Sequence, residues 1–434
     1  YYNSSFNTLQ IDIEKLFKEG IEKDNTIIKN PETFNEYILF LSFVIAKAEN
    51  DLYGGIQIPN FDFIMAKAVR KNYHKLFVET LLNIEKLFEF VWDLETLIKD
   101  IESQGKTFQI GNHDLDGLLV SKGISEEKLK EIHQMVETKI NDDLFKALHE
   151  LLLIIKMMPT KNSDGVVNLS ISYGTDTSKE GRLVIKNILK ATQKGAPGNH
   201  LFTAPVQVFK IKEGINYKKN DKNFDLYNLA VETTAKTMYP NYLFLDSTPN
   251  IIEGVDNLEH ISIGSTRNRV IYNTIEYNKS PLSRGSIAET VINLPRLALV
   301  SKKIDVFYKN LELLLEDVVE QLLERYRGLS NLKALHLPFL MQDHAWRDAS
   351  SLDINDNISS IIRNGSLDVG FAGLAEALVA LTGKHHGQSE ESRHLGLEII
   401  RTMNNLLETY KNKYDLNFQL VASSKVGTTE EFIY

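Results

Sequence analysis

The chain has 434 residues, 43% hydrophobic and 25% charged, with a formal net charge of −9 and no cysteine. That describes an ordinary globular protein able to bury a sizeable core, and the acidic balance argues against a nucleic-acid coat or a polybasic membrane binder while leaving nucleotide binding through local donors open. The missing cysteine excludes disulfides, thiolate metal sites and sulfur radical chemistry within this sequence, and with no run of 18 apolar residues and no signal-peptide pattern, a cytoplasmic location with no membrane partner is expected.

In chain order, residues 9–19 form an apolar-periodic run without a capping leader, read as helix. From Asn30-Pro31 to about Asn50, Phe34, Tyr37, Ile38, Leu41, Val44, Ile45 and Ala48 recur at helical spacing and predict a buried helical face. The run Tyr53-Gly54-Gly55-Ile56-Gln57-Ile58-Pro59 reads as a turn before a second helix over 61–79, whose Lys67, Arg70, Lys71 and Lys75 form a basic side that is either a solvated face or a phosphate contact. Helix continues over 81–101 and again over 125–157. Between them His113, Asp114 and Asp116 sit in a polar turn whose spacing fits no common ligand pattern, so local Asx bonding is expected and no metal. His133 and His149, sixteen residues apart in one helix, are too far apart to share an ion.

Residues 166–173 alternate with period two and predict a strand. Gly174-Thr175-Asp176-Thr177-Ser178 then leads into a helix over 179–192, with Thr177 or Ser178 as N-cap. Strand, glycine turn and helix N-terminus make a plausible phosphate cradle, because unpaired N–H groups and the positive helix end favour an anion. Strands over 204–211 and 240–246, alternating with helix, predict parallel βαβ units. Ile261-Ser262-Ile263-Gly264 is a short β-like run broken by glycine, suited to a loop tip in a confined space. Val291-Ile292-Asn293-Leu294-Pro295-Arg296-Leu297 is apolar except for Asn293, which either satisfies buried backbone or faces a ligand. A long amphipathic helix over 304–327 follows. Residues 361–378 turn from strand through glycines into helix, the His385-His386 pair sits in a polar turn before a helix over 392–413, and 417–423 is a further strand.

Several of these stretches together resemble the class III anaerobic ribonucleotide reductases. They are Gly264 with Arg267, Arg269 and Val270, then Ser283-Arg284-Gly285, the run from Ile292 to Leu297, and SYGTDTSKEGRLVIKNIL from residue 172. The resemblance covers nearly the whole chain. It implies an α/β fold, a ten-stranded α/β barrel of two five-stranded parallel halves set antiparallel, with the loop over 261–268 threaded inside. It also implies one reductase-like domain, with a helical, dimer-forming part over 1–160 and the barrel strands over 161–434, and without an ATP-cone.

What the resemblance implies about chemistry meets a departure. In that family the loop carries a cysteine whose thiyl radical takes the 3′ hydrogen of the ribonucleotide, and here Ser265 or Thr266 stands in its place. A second active-site cysteine after an asparagine corresponds to Thr8 after Asn7. Relatives have a segment just upstream of residue 1, so residue 1 does not read as a native start, and they continue past 434 to a four-cysteine zinc site and a glycyl-radical loop, so neither cofactor is expected in this chain.

The implied pocket is lined by Asn7, Ser265, Thr266 and Asn293, with Thr175, Asp176, Thr177 and Ser178 near the phosphates. The expected partners are nucleoside triphosphates, a second copy of the chain, and a radical-SAM activase or full-length reductase. The Gly54-Gly55 segment resembles one near the family's effector site and dimer interface. The expected function is nucleotide binding without radical reduction; the alternatives are a truncated, cysteine-substituted catalytic subunit and a structural or regulatory dimerisation module.

Overall fold

The structure, a computed structural model, describes residues 5–23, 26–88, 94–160, 165–250, 260–264, 269–270 and 280–423. Strand β1 (Phe6–Gln10) leads through α1 (Ile13–Glu19) and the hairpin strands β2 (Ile21–Lys23) and β3 (Thr26–Ile28) to α2 (Phe34–Asp51). Next come β4 (Leu52–Ile58), α3 (Phe61–Phe88), α4 (Leu94–Ser103), α5 (Asp116–Ser121) and α6 (Glu126–Met157). The alternating block is β5 (Leu169–Tyr173), α7 (Lys179–Lys194), β6 (Val206–Ile211), α8 (Phe224–Thr237) and β7 (Asn241–Phe244). The last part comprises β8 (Ser286–Asn293), α9 (Leu294–Ser301), α10 (Ile304–Ser330), α11 (Ser359–Ile362), β9 (Ser366–Ala372), α12 (Leu374–Thr382), α13 (Glu390–Tyr414) and β10 (Asn417–Ala422).

Local chemistry accounts for the well-placed helix starts. Thr33 and Glu36 form a reciprocal capping box at α2, and the hydroxyls of Ser125, Ser178 and Ser389 cap α6, α7 and α13. Two expectations are corrected. The first residues of the 9–19 run belong to β1, because Leu9 and Gln10 pair with Ile56 and Gln57, and the helix begins only at Ile13. The Gly54-Gly55 run is no turn but the strand β4, held between β1 and β5 and buried on both faces. The apolar run after Val291 leaves the sheet at Asn293, and Pro295 sits in the first turn of α9, where no N–H is needed.

The strands form two parallel sheets. One has the order β1-β4-β5-β6-β7 and the other β10-β9-β8, while β2 and β3 pair separately. The sheets meet antiparallel at Gln10 and Arg284. There the Gln10 N–H donates to the Arg284 carbonyl at 2.8 Å, and the Ser283 N–H donates to the Gln10 carbonyl at 2.8 Å. The fold is thus α/β, with one complete five-stranded parallel half set antiparallel to a second half that shows three strands among the described residues; closure into a ten-stranded barrel is not seen among them. Because β1 and β4 supply two strands of the first sheet, residues 1–160 are part of the sheet as well as of the helical layer. Among the described residues no helix is long and apolar enough to cross a membrane.

The junction requires backbones to approach closely. A Cβ on Gly285 would lie 1.7 Å from the Thr8 carbonyl oxygen, and one on Gly55, at φ +85°, would lie 1.7 Å from the Asn168 carbonyl oxygen. Trp346 and Phe6, both fully buried, close the seam edge to face at 5.1 Å. Gly285→Ala is therefore expected to lower unfolding stability by about 3 kcal/mol or more. Gly117→Ala, where nothing lies within 4 Å, should change it by less than about 1 kcal/mol. Urea unfolding of both variants measures the difference, and equal midpoints would contradict the packing described at the seam.

Candidate functional site

Each sheet has an apolar face under the helices and an opposite face that is polar. On the first sheet Leu9, Ile56, Ile58, Leu169, Ile171 and Phe209 join the main core. By strand alternation and register, Thr8, Gln10, Gln57, Ser170, Ser172 and Lys210 line the other side. On the second sheet Leu367, Val369 and Phe418 pack into the core, while Glu289, Asp368 and Gln419 share the reverse face in one register row. Buried polar residues in such numbers need partners or a ligand.

A connected network crosses the seam. Asn7, fully buried, donates from Nδ2 to Ser286 Oγ at 3.0 Å, and its Oδ1 has no hydrogen-bond partner among the described residues. Thr8 Oγ1 accepts from the Ser286 N–H at 3.4 Å. Asp368 accepts from Ser366 Oγ at 2.8 Å and from Gln419 Nε2 at 2.6 Å. Burial pushes the Asp368 carboxyl up to about 7, hydrogen bonds from Ser286, Ser366 and Gln419 oppose the rise, and the neighbouring Glu289 adds to it. Burial likewise raises the Tyr53 phenol to about 12. Asp368 and Glu289 did not stand out in the sequence. Their one signal is period-two alternation, with Ser366 and Asp368 alternating with Leu367 and Val369.

The turn from Gly174 to Ser178 is built differently from the open cradle expected of it. The N–H groups of Gly174, Thr175 and Asp176 all donate to Asp62 Oδ2, at 2.8, 3.0 and 3.0 Å. Asp176 Oδ1 accepts from the Ser178 N–H at 2.8 Å, and Ser178 Oγ from the Gly181 N–H at 3.0 Å. The anion in this nest is therefore Asp62, from the first turn of α3. Its burial raises the carboxyl, opposed by the N–H groups of Asp176 and Gly174 and by the charge of Lys210. Thr175 Oγ1 is buried without a partner among the described residues, and Thr177 is half-buried.

The remaining predicted positions divide. His260 through Gly264 lie across the polar face of the first sheet: Gln10 Nε2 donates to the His260 carbonyl at 2.6 Å, the Ser172 and Ser262 hydroxyls bond at 2.8 Å, and Ile261 packs with Val208, Leu243 and Leu245. Ser265 and Thr266, the next residues, lie outside the described residues. A cavity of about 800 Å³ is lined among others by Phe202, Tyr239, Tyr242, Ile263 and Gly264. Asn293 accepts from the Arg296 N–H at 3.0 Å and so caps α9, half-buried at the end of β8.

The antiparallel seam carries β8 past the N-terminal end of β1, so Asn293 lies toward that end of the first sheet. The 174–178 turn follows the opposite end of β5. A six-residue strand such as β6 separates these ends by about 20 Å. Asn7 and Thr8 are thus brought to the seam with Asp368, whereas the phosphate-side turn is not.

Because the folded carboxyl of Asp368 holds its proton more tightly than an unfolded aspartate near pH 4, it favours the folded state below that value. This contribution is lost as pH rises toward about 7, by up to about 4 kcal/mol. Asp368→Asn should remove that loss, so that wild type weakens relative to the variant between pH 4.5 and 7.5 in urea unfolding. Parallel stability curves for the two would contradict it.

Comparisons with known proteins agree with this architecture. A family model described as anaerobic ribonucleoside-triphosphate reductase matches residues 1–433. The reductase of Haemophilus influenzae is 24% identical over 435 residues, covering 98% of this chain and 54% of the relative. That of Escherichia coli is 24% identical over 432 residues, with the same coverage, and that of phage T4 is 24% identical over 437 residues, covering 96% and 60%. The chain thus spans about half the length of the bacterial relatives it matches. Among solved structures, the Thermotoga maritima anaerobic ribonucleotide reductase in complex with dATP and CTP superposes with a TM-score of 0.57 at 14% identity, covering 96% of this chain and 59% of that one. Another anaerobic ribonucleotide reductase gives 0.61 at 12%, covering 96% and 56%. With a family model matching almost every residue and a parallel α/β fold shared with solved members, the chain belongs to the anaerobic ribonucleoside-triphosphate reductase family.

Proposed function

We propose that this chain binds nucleoside triphosphates in a reductase-shaped cleft and does not itself perform radical reduction. One observation carries the negative half: the 434 residues contain no thiol, and the cysteine positions implied by resemblance hold Thr8 and Ser265 or Thr266. A hydroxyl O–H bond is much stronger than a thiol S–H bond, so a hydroxyl cannot relay a radical from a glycyl centre to the ribose as a thiol does. Nor do the residues present fit a four-cysteine zinc site.

The binding half draws support from the polar face of the first sheet, where Asn7 Oδ1 at the seam and Ser170 Oγ on β5 are buried without a partner among the described residues. The Thermotoga maritima relative was crystallised with dATP and CTP. On this reading Asn7, Ser265, Thr266 and Asn293 face the nucleoside, and Thr175, Asp176, Thr177 and Ser178 stand nearest the phosphates, which would have to share or replace the Asp62 contacts. The same reading assigns a cytoplasmic homodimer formed through residues 1–160 that acts with a full-length reductase or its radical-SAM activase. A second reading, a catalytic subunit represented by part of its length with its cysteines substituted, is favoured by the unbroken family match over residues 1–433.

A ligand that binds only the folded state raises the unfolding midpoint. Millimolar ribonucleoside and deoxyribonucleoside triphosphates should raise it by about 3 °C for the preferred base, with no deoxyribonucleotide formed. Asn7→Ala should abolish most of the rise. Formation of deoxyribonucleotide by this chain would overturn the negative half, a native sequence with cysteine at position 8 and at 265 or 266 would decide for the second reading, and no rise with any nucleotide would leave a dimerisation module.

A further inference from the structure

We propose that His113, Asp116 and His133 form a binding site for one zinc-class divalent ion, which clamps the 112–117 turn to α6 and, through Tyr73, to α3. The three side chains, scattered over twenty residues of sequence, place one potential ligand atom each within 4.8 Å of one another. Asp116 sits between the imidazoles, Oδ2 at 2.8 Å from His113 Nδ1 and Oδ1 at 2.9 Å from His133 Nε2. Local spacing alone hides the group, because His133 arrives from α6, a separate helix. No other such cluster occurs among the described residues.

Two imidazoles and one carboxylate are the donor set of an open zinc site, with water as the fourth ligand, and their nitrogen content disfavours magnesium or calcium. A cleft of about 280 Å³ lined by Asp116, Gly117, Val120, Glu126 and Leu129 opens beside Asp116, so solvent reaches that ligand. Tetrahedral ligand atoms at zinc distances stand about 3.3 Å apart, so the two Asp116 contacts need open by a few tenths of an ångström, while the wider pair, within 4.8 Å, must draw in around the ion. His113, on an exposed turn, can move.

The buried partner is prepared for either state. His133 Nδ1 lies 2.8 Å from the Tyr73 hydroxyl, a group that both donates and accepts. Without metal, His133 Nε2–H donates to Asp116 and Nδ1 accepts from Tyr73. With metal, the proton moves to Nδ1, is donated to the Tyr73 oxygen, and the Nε2 lone pair is released for the ion. Phe77 packs on the His133 ring with centroids 4.6 Å apart and fixes its plane.

The test uses the full chain, stripped with chelator and titrated with zinc against a chromophoric competitor. Since the chain has no cysteine, thiolates cannot account for uptake. One equivalent should bind, the unfolding midpoint should rise, and cobalt substitution should give visible bands of a four-coordinate N/O site. His113→Ala, at an exposed position that should not disturb folding, and Asp116→Asn should each weaken binding about 100-fold. Tyr73→Phe should weaken it about 10-fold, and the His385→Ala/His386→Ala double variant should leave it unchanged. No uptake at micromolar zinc, unaltered affinity in His113→Ala and Asp116→Asn, or loss of binding in the His385/His386 variant would each overturn the proposal.

Discussion

Everything at the centre of this molecule depends on two backbones coming closer than a side chain allows. Where β1 meets β8, Gly285 lies against the Thr8 carbonyl with no room for a methyl group, and the two chains exchange hydrogen bonds through Gln10, Ser283 and Arg284. The fully buried Arg284 turns its guanidinium to the Asn364 carbonyl, and Arg347 donates to the carbonyls of Ser280 and Leu282. Because this contact is antiparallel while each sheet is parallel within itself, the polar faces of both sheets come to share one seam. Asn7 reaches Ser286 only for that reason.

The same economy of anions governs the other end of the sheet. A turn of three inward N–H groups at the head of α7 attracts negative charge whatever its source. Here the source is Asp62, carried in by α3, and the result ties α3, β5 and α7 into one unit. Asn216 and Asn223 complete it by donating to the Gly174 carbonyl, at 2.9 and 3.3 Å. A loop that reads as a ligand site in one dimension can thus be a structural clamp in three. The reverse holds at α6, where His133 looks isolated in sequence and proves to be one of three convergent donors.

Much of the helical layer was legible beforehand, because caps and 3.6-residue periodicity are local. Ser178 marks α7, and the predicted start of α10 at Ile304 is the observed one. Strands flanked by strands were harder. β4 has two glycines and neighbours on both sides, so it carries no alternation of polar and apolar residues to read, and β1 is a five-residue strand hidden in the approach to a helix. Resemblance singled out Asn7 and Thr8, which the fold buries at the seam, whereas nothing in the sequence singled out Asp62, Glu289 and Asp368, since a single carboxylate in a strand or first helical turn is indistinguishable from a solvated one until its neighbours arrive.

Composition limits the chemistry before any folding: with no cysteine among these 434 residues, no thiyl radical can form within them whatever their fold. Residue order determined the alternation of helix and strand, because backbone propensity and side-chain period act over a few residues. Tertiary structure alone decided which polar groups meet. Asp62 lies 112 residues from the first N–H it accepts, and Asn7 lies 279 residues from Ser286. Hydrogen bonds and charge act over a few ångströms of space, and only packing converts separation along the chain into that distance.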